Sequence, residues 1–218
     1  MPNENSSYEA HYQKLFSEGK TQWSTDQAGE ALYIAATMFI RPQERVLLLG
    51  CGVGMLAERL VPLGLECIGV DISPTALSKA RERLAAYPNY QFFETSVLDL
   101  PDSLGLFDLI MDEYCTHCIP TERLALWQSL QRRLKPNGRV IIKAMVGETP
   151  RILARNPRKS FDAATGTVFR DGIPERHVPT YATLRAELEQ SGFEVLSAEH
   201  LINSEPDEDE GLFELRVA

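Results

Sequence analysis

Five residues, Gly50-Cys51-Gly52-Val53-Gly54, restrict the fold of this chain more than any others. They follow the nearly continuous apolar run Arg45-Val46-Leu47-Leu48-Leu49 and precede a helical stretch from Met55 to Val61. An apolar run of that length is the mark of a strand covered on both faces. Glycines let the backbone turn sharply from such a strand into a helix and come close to a ligand. The helix N-terminus then offers free N–H groups and partial positive charge. Asp71 closes the next apolar run, Glu66 to Val70, at the roughly 20-residue spacing where a carboxylate holds ribose hydroxyls in nucleoside-cofactor folds.

Strand and helix patterns alternate around this turn. Residues 1 to about 40 read as two helices, the first carrying Tyr8, Tyr12, Leu15 and Phe16 at helical spacing. The second starts near Asp26, a good N-cap, runs through Phe39 and is closed by Pro42. Ser73-Pro74 is a cap followed by proline at the first helical position, so Thr75 to Ala86 is predicted helical. Strands are expected at Tyr90 to Phe93 and Phe107 to Met111. A helix is expected from Glu122 to Leu134, ended by Lys135-Pro136-Asn137-Gly138, and then a strand from Arg139 to Lys143. Residues 148–179 read as irregular, and Thr180 opens a last helix through Gln190. Phe193 to Ala198 and Leu212 to Val217 have no helix between them, so they form an antiparallel hairpin. The loop from Glu205 to Glu210 holds five carboxylates and reads as a solvated turn. The expected fold is α/β, a doubly wound and mostly parallel Rossmann-like sheet.

Which ligand the turn takes is narrowed by its spacing. A dinucleotide site wants G-x-G-x-x-G, and Met55 occupies the third glycine position here. No G-x-x-x-x-G-K-[ST] occurs, which excludes a P-loop. The net charge of −9 and pI near 5.0 disfavour DNA and large RNA, whose phosphates attract clustered Lys and Arg. No apolar run approaches the ~20 residues that cross a bilayer. Met1 to Lys20 lacks the apolar core of a secretory signal. Four cysteines are too few for a disulfide scaffold, so a reducing cytoplasm is expected.

The motifs together resemble the class I S-adenosylmethionine-dependent methyltransferases. Val46 to Gly54 is similar to their first motif, Gly69-Val70-Asp71-Ile72-Ser73 to the acidic motif that follows, Phe107 to Asp112 to the fourth-strand motif, and Leu134 to Arg139 to the turn before strand five. The stretches Val70 to Leu77 and Phe107 to Asp112 also resemble the thiopurine and halide/thiol methyltransferase group. The resemblance implies a seven-stranded sheet with its last strand antiparallel, in a methyltransferase domain over residues 41–218. It also implies an N-terminal helical lid over residues 1–40 and a substrate-lid segment inserted at 143–179. S-adenosyl-L-methionine is the implied cofactor and S-adenosyl-L-homocysteine the product. Gly50, Cys51, Gly52, Gly54, Asp71 and Ile72 are the implied cradle, with Ser96 and Val97 at the adenine. The family usually has an acid where this chain has Leu48, and often Asp where it has Ser96.

Beyond strand four, Asp112 and Glu113 are expected to face the cofactor's methionine amine and sulfonium, since ligands of open α/β sheets bind past the carboxyl ends of strands. His117 is the candidate general base, with Glu113 beside it as a second catalytic candidate. Cys115-Thr116-His117-Cys118 lacks a second pair at zinc spacing, so no metal is expected. Tyr12, Trp23 and Tyr114 are candidate substrate contacts. The 143–177 segment concentrates Lys and Arg, among them Arg151, Arg155, Arg158, Arg170 and Arg176. Arg151 and Arg170 are the candidates to bind an acceptor's carboxylate or phosphate. The expected activity is metal-free methyl transfer to a small molecule. A non-catalytic binder of the same cofactor, an RNA methyltransferase and an NAD-dependent oxidoreductase stay open, as do the attacked atom and the oligomeric state.

Overall fold

A computed structural model describes residues 4–21, 29–147, 158–202 and 209–218. Seven strands form one sheet in the order β3-β2-β1-β4-β5-β10-β9, and a separate three-stranded sheet runs β6-β7-β8. The chain divides into two compact units, residues 1–111 and 112–218.

The first unit holds β1 (Arg45–Leu49), β2 (Glu66–Asp71) and β3 (Tyr90–Glu94), paired in parallel. It also holds most of β4 (Phe107–Glu113). Four of the five β1 residues and five of the six in β2 are buried, as continuous apolar runs require. Helices α1 (Glu4–Ser17), α2 (Glu30–Thr37), α3 (Met55–Leu60) and α4 (Pro74–Arg83) complete the unit. The α4 cap is as expected: Ser73 Oγ accepts from the Ala76 N–H at 3.0 Å and Pro74 follows it, an arrangement worth about 1 kcal/mol. Helix α2 starts at Glu30, with Gly29 as its N-cap, and ends at Thr37, short of Phe39; Asp26 lies outside the described residues.

The second unit holds α5 (Arg123–Gln131), β5 (Leu134–Val146), β6 (Lys159–Asp162), β7 (Thr167–Arg170), β8 (Ile173–His177), α6 (Tyr181–Gln190), β9 (Phe193–Leu201) and β10 (Asp209–Val217). Strand β10 runs antiparallel to both β5 and β9, the expected hairpin. Three expectations change here. Strand β5 starts at Leu134 and takes in Lys135-Pro136-Asn137-Gly138, with Asn137 in the left-handed region at φ 64°. The segment read as irregular carries an antiparallel meander, β6-β7-β8. Its second turn is Asp171-Gly172, with φ of 51° and 78°, the residue pair that two-residue hairpin turns favour. Asp209 and Glu210, expected in a solvated turn, belong to β10; residues 203–208 lie outside the described residues.

Candidate functional site

In the first unit, backbone builds a cradle. Gly50, Gly52 and Gly54 all have positive φ, at 54°, 53° and 81°, a conformation open to glycine at little cost. The Cys51 N–H donates to the Val70 carbonyl at 3.0 Å, which ties the loop to the end of β2. The Gly52 N–H donates to Asp71 Oδ2 at 2.9 Å, and the Ser73 N–H to Oδ1 at 2.9 Å. One carboxylate therefore joins the glycine loop, the strand end and the start of α4. Burial pushes the Asp71 carboxyl up, and the Ser73 and Gly52 N–H groups hold it down. A Cβ on Gly69 would lie 2.8 Å from Cys51 Sγ and 2.7 Å from the Phe92 ring, so a glycine there gives Cys51 room to pack.

Helix α1 covers this loop. A Cβ on Gly52 would meet the Tyr12 hydroxyl at 2.7 Å. Tyr12, a candidate substrate contact, thus stands over the glycine loop. Glu9, one turn earlier, accepts from Ser73 Oγ at 2.6 Å and from the Thr75 N–H at 3.3 Å, and Thr75 Oγ1 also donates to it. A carboxylate at the start of a helix satisfies free N–H groups and complements the dipole. No local spacing in the sequence marks Glu9, because its partners lie over sixty residues away. Ser96 Oγ accepts from the Leu98 N–H at 3.2 Å and so shapes the turn after β3. Val97 is buried, Ile72 is half-buried beside Asp71, and Leu48 lies in the core of β1.

In the second unit, side chains build the turn after β4. Asp112 is fully buried and accepts from the N–H of Cys115 at 2.8 Å, the N–H of Thr116 at 3.1 Å and Thr116 Oγ1 at 2.5 Å. Burial raises its pKa to about 6 against those bonds. Asp112, expected to face a ligand, has both oxygens engaged by donors of its own turn, as a buried carboxylate must find donors. Tyr114 has φ 62°, uncommon for a bulky residue and a local strain. Its N–H donates to the Lys143 carbonyl at 3.0 Å, its hydroxyl donates to Glu210, and Lys143 Nζ lies 4.9 Å from its ring centre. Lys143 also reaches Glu210 at 3.2 Å. Burial lowers the Lys143 pKa, and the nearby Glu113 opposes that. Glu113, the second catalytic candidate, is half-buried beside this pair.

His117 is 4% exposed. Burial holds its pKa well below 6.5, and the charges of Arg176 and Arg123 push the same way. It is therefore held as a neutral ring. Beneath it lies a network that the sequence does not reveal. Glu187 accepts from Arg123 Nε at 2.9 Å and Trp127 Nε1 at 2.6 Å, and its other oxygen is 2.8 Å from His177 Nε2. Arg123 Nη1 also donates to the Thr116 and Ile119 carbonyls, at 2.5 and 3.0 Å, which ties α5 to the turn. Arg170 is exposed and paired with Glu175, so its charge is answered within its own sheet. Arg151, Arg155 and Trp23 lie outside the described residues. The four cysteines are free thiols, and among the described residues no three acidic, His or Cys side chains are grouped to hold a metal. Among the same residues no helix is long and apolar enough to cross a membrane.

A Rossmann-like sheet with a glycine cradle and a strand-end acid defines a nucleoside-cofactor domain. Residues 46–138 match the family model described as a methyltransferase domain. It is similar to thiocyanate methyltransferase 1 of Brassica oleracea, 31% identical over 61% of this chain and 60% of that one. It is also 30% identical to an arsenite methyltransferase of Halobacterium salinarum, over 71% of this chain and 38% of the relative. The chain thus spans about 60% or less of the length of these curated relatives. In fold it is like the Burkholderia thailandensis 1,6-didemethyltoxoflavin-N1-methyltransferase solved with 1,6-didemethyltoxoflavin and S-adenosylhomocysteine. That likeness has a TM-score of 0.71 at 16% identity, over 98% of this chain and 86% of that one.

Proposed function

We propose that this chain transfers a methyl group from S-adenosylmethionine to a small-molecule acceptor carrying an anionic group, without a metal. The observation that carries the cofactor half is the Asp71 carboxylate, bonded at once to Gly52 and Ser73 at the mouth of the glycine loop. An acid held this rigidly is suited to a ribose hydroxyl pair. Gly50 to Gly54 provide backbone that can approach the ligand, Ile72 an apolar face, and Ser96 with Val97 the rim for the adenine. The Ser96 hydroxyl, already an acceptor for Leu98, keeps a proton to donate. Bound S-adenosylmethionine supplies a methyl group already activated by its sulfonium, so the protein's work is alignment and exclusion of water. Asp112 fixes the backbone of the turn that carries Glu113 and Tyr114. Where the attacked atom is itself anionic there is no proton to lose, which suits a neutral His117. Thiocyanate, in the name of one relative, is such an ion. Four free thiols fit a reducing cytoplasm.

Thermal unfolding alone and with S-adenosylmethionine, S-adenosylhomocysteine or NAD tests the cofactor. A ligand at a hundred times its Kd adds about 2.7 kcal/mol, or roughly 5–10 °C in Tm for a chain of this size. The two adenosyl-sulfur ligands should raise Tm and NAD should not. A rise with NAD alone overturns the reading. One observation favours a second reading, a non-catalytic binder: Leu48 is sealed in the core, so the acid usual at that position has no polar substitute. Cofactor binding with no transfer to thiols, thiocyanate or aromatic acids would decide for it.

A further inference from the structure

The described cations of the meander answer acids of the same small sheet. Arg158 forks onto Asp171, Arg170 pairs with Glu175, and Lys159 reaches Glu175 at 3.1 Å. Arg176, on β8, does not follow that pattern. Its Nη1 lies 3.3 Å from Nε2 of His117 and 3.6 Å from Sδ of Met145, and no carboxylate among the described residues pairs with it. Its Nε is shut off from solvent and has no acceptor among the described residues.

The protonation of the pair follows from donor chemistry. A guanidinium only donates, so His117 Nε2 is the acceptor and the ring's proton sits on Nδ1. That Nδ1–H is also buried without an acceptor among the described residues. Native proteins leave few buried donors unsatisfied, and those they keep mark places that a ligand, ion or water completes. A neutral imidazole orients the guanidinium without cancelling its charge, as a carboxylate would. Burial and the neighbouring Arg123 and Arg176 charges keep the ring in that neutral form. The Met145 thioether and the Tyr114 ring, 5.7 Å from the His117 ring, supply soft, polarisable surroundings. His117 stands in the turn past β4, on the side where ligands of open α/β sheets bind.

We infer that Arg176 is the binding residue for the anionic group of the methyl acceptor, with His117 as the neutral positioning residue that aims its guanidinium. The ligand class is a singly charged anion, drawn from a carboxylate or from a soft sulfur anion. The role in acceptor binding rests on the methyl-transfer reading; the anion seat itself does not.

The test is calorimetric titration of sodium thiocyanate and of sodium benzoate into the full chain, with and without saturating S-adenosylhomocysteine. One anion at least should bind at a single site, and the one that binds identifies the source. Arg176→Met and Arg176→Gln, the latter keeping polar donors but no charge, should each weaken that binding about tenfold or more. Both should keep the Tm of the ligand-free protein, because no carboxylate among the described residues loses its partner. If Met disturbs folding, Gln decides. Absence of anion binding in the wild type, or unchanged binding in a folded variant, overturns the seat. Arg176-dependent anion binding in a protein that transfers no methyl group overturns only the methyltransferase activity. Transfer whose acceptor KM ignores both substitutions overturns the role of Arg176 in acceptor binding.

Discussion

The glycine cradle and the network around Glu187 are built in opposite ways. The cradle is backbone: five consecutive residues, one acid and the start of a helix, with positive φ where glycines stand. The network is side chain: Arg123, Trp127, His177 and Glu187 meet from α5, β8 and α6, up to sixty-four residues apart. Backbone geometry is set by local residue choice, so the cradle can be read from a short window. Side chains that converge from distant elements depend on how those elements pack. The network also carries buried charge, which the cradle limits to one well-bonded carboxylate. A cradle of this kind shapes a ligand; a network of this kind holds elements together and aims what lies above it.

If that contrast is right, the network should matter most to stability. Glu187→Ala would leave Arg123 buried without its acid, and the expected loss is about 3–5 kcal/mol by urea unfolding. A loss near zero would mean that α5 and α6 are held by packing alone. The same carboxylate has an acid signature. Burial pushes its pKa up, but bonds from His177 and Trp127 and the Arg123 charge hold it at about 2. A folded pKa below the unfolded one gives stability that is present above pH ~4.5 and lost as pH falls toward ~2, roughly 3 kcal/mol in all. Glu187→Gln should flatten that part of the stability curve; an unchanged acid slope would place the titration elsewhere.

The cradle should answer through ligand affinity instead. Asp71→Ala removes the carboxylate proposed for the ribose, and S-adenosylhomocysteine should bind about a hundredfold more weakly by calorimetry, near 2.7 kcal/mol. A change under about threefold would show that the backbone holds the ligand without the acid. The smallest effect is expected in the meander. Gly172 has φ 78° and open space around its Cα, so Gly172→Ala meets only the conformational cost. That is about 1 kcal/mol, or roughly 2–4 °C in Tm. A much larger fall would mean that the hairpin is packed in a way its exposed turn does not show.

How much was legible differs by residue type and reach. The strands at 45, 66 and 90, the Ser73-Pro74 cap and the closing hairpin all follow from local periodicity and turn chemistry. Asp171-Gly172 was equally local, a hairpin signal obscured by the Pro and Arg around it. The extension of β5 back to Leu134 was not legible, because Pro136 and Gly138 are ordinary turn residues.

By itself, then, the chain's sequence determined the sheet, its glycine turn and the acid that follows, because each depends on backbone preferences within a few residues. Only the tertiary structure decided which polar groups are answered. It engaged Asp112 in its own turn, paired Arg170 with Glu175, set Tyr12 over Gly52, and left Arg176 with a neutral imidazole as its partner. The reason is burial: a charge removed from water must find its partner in space, and the distance along the chain does not say where that partner lies.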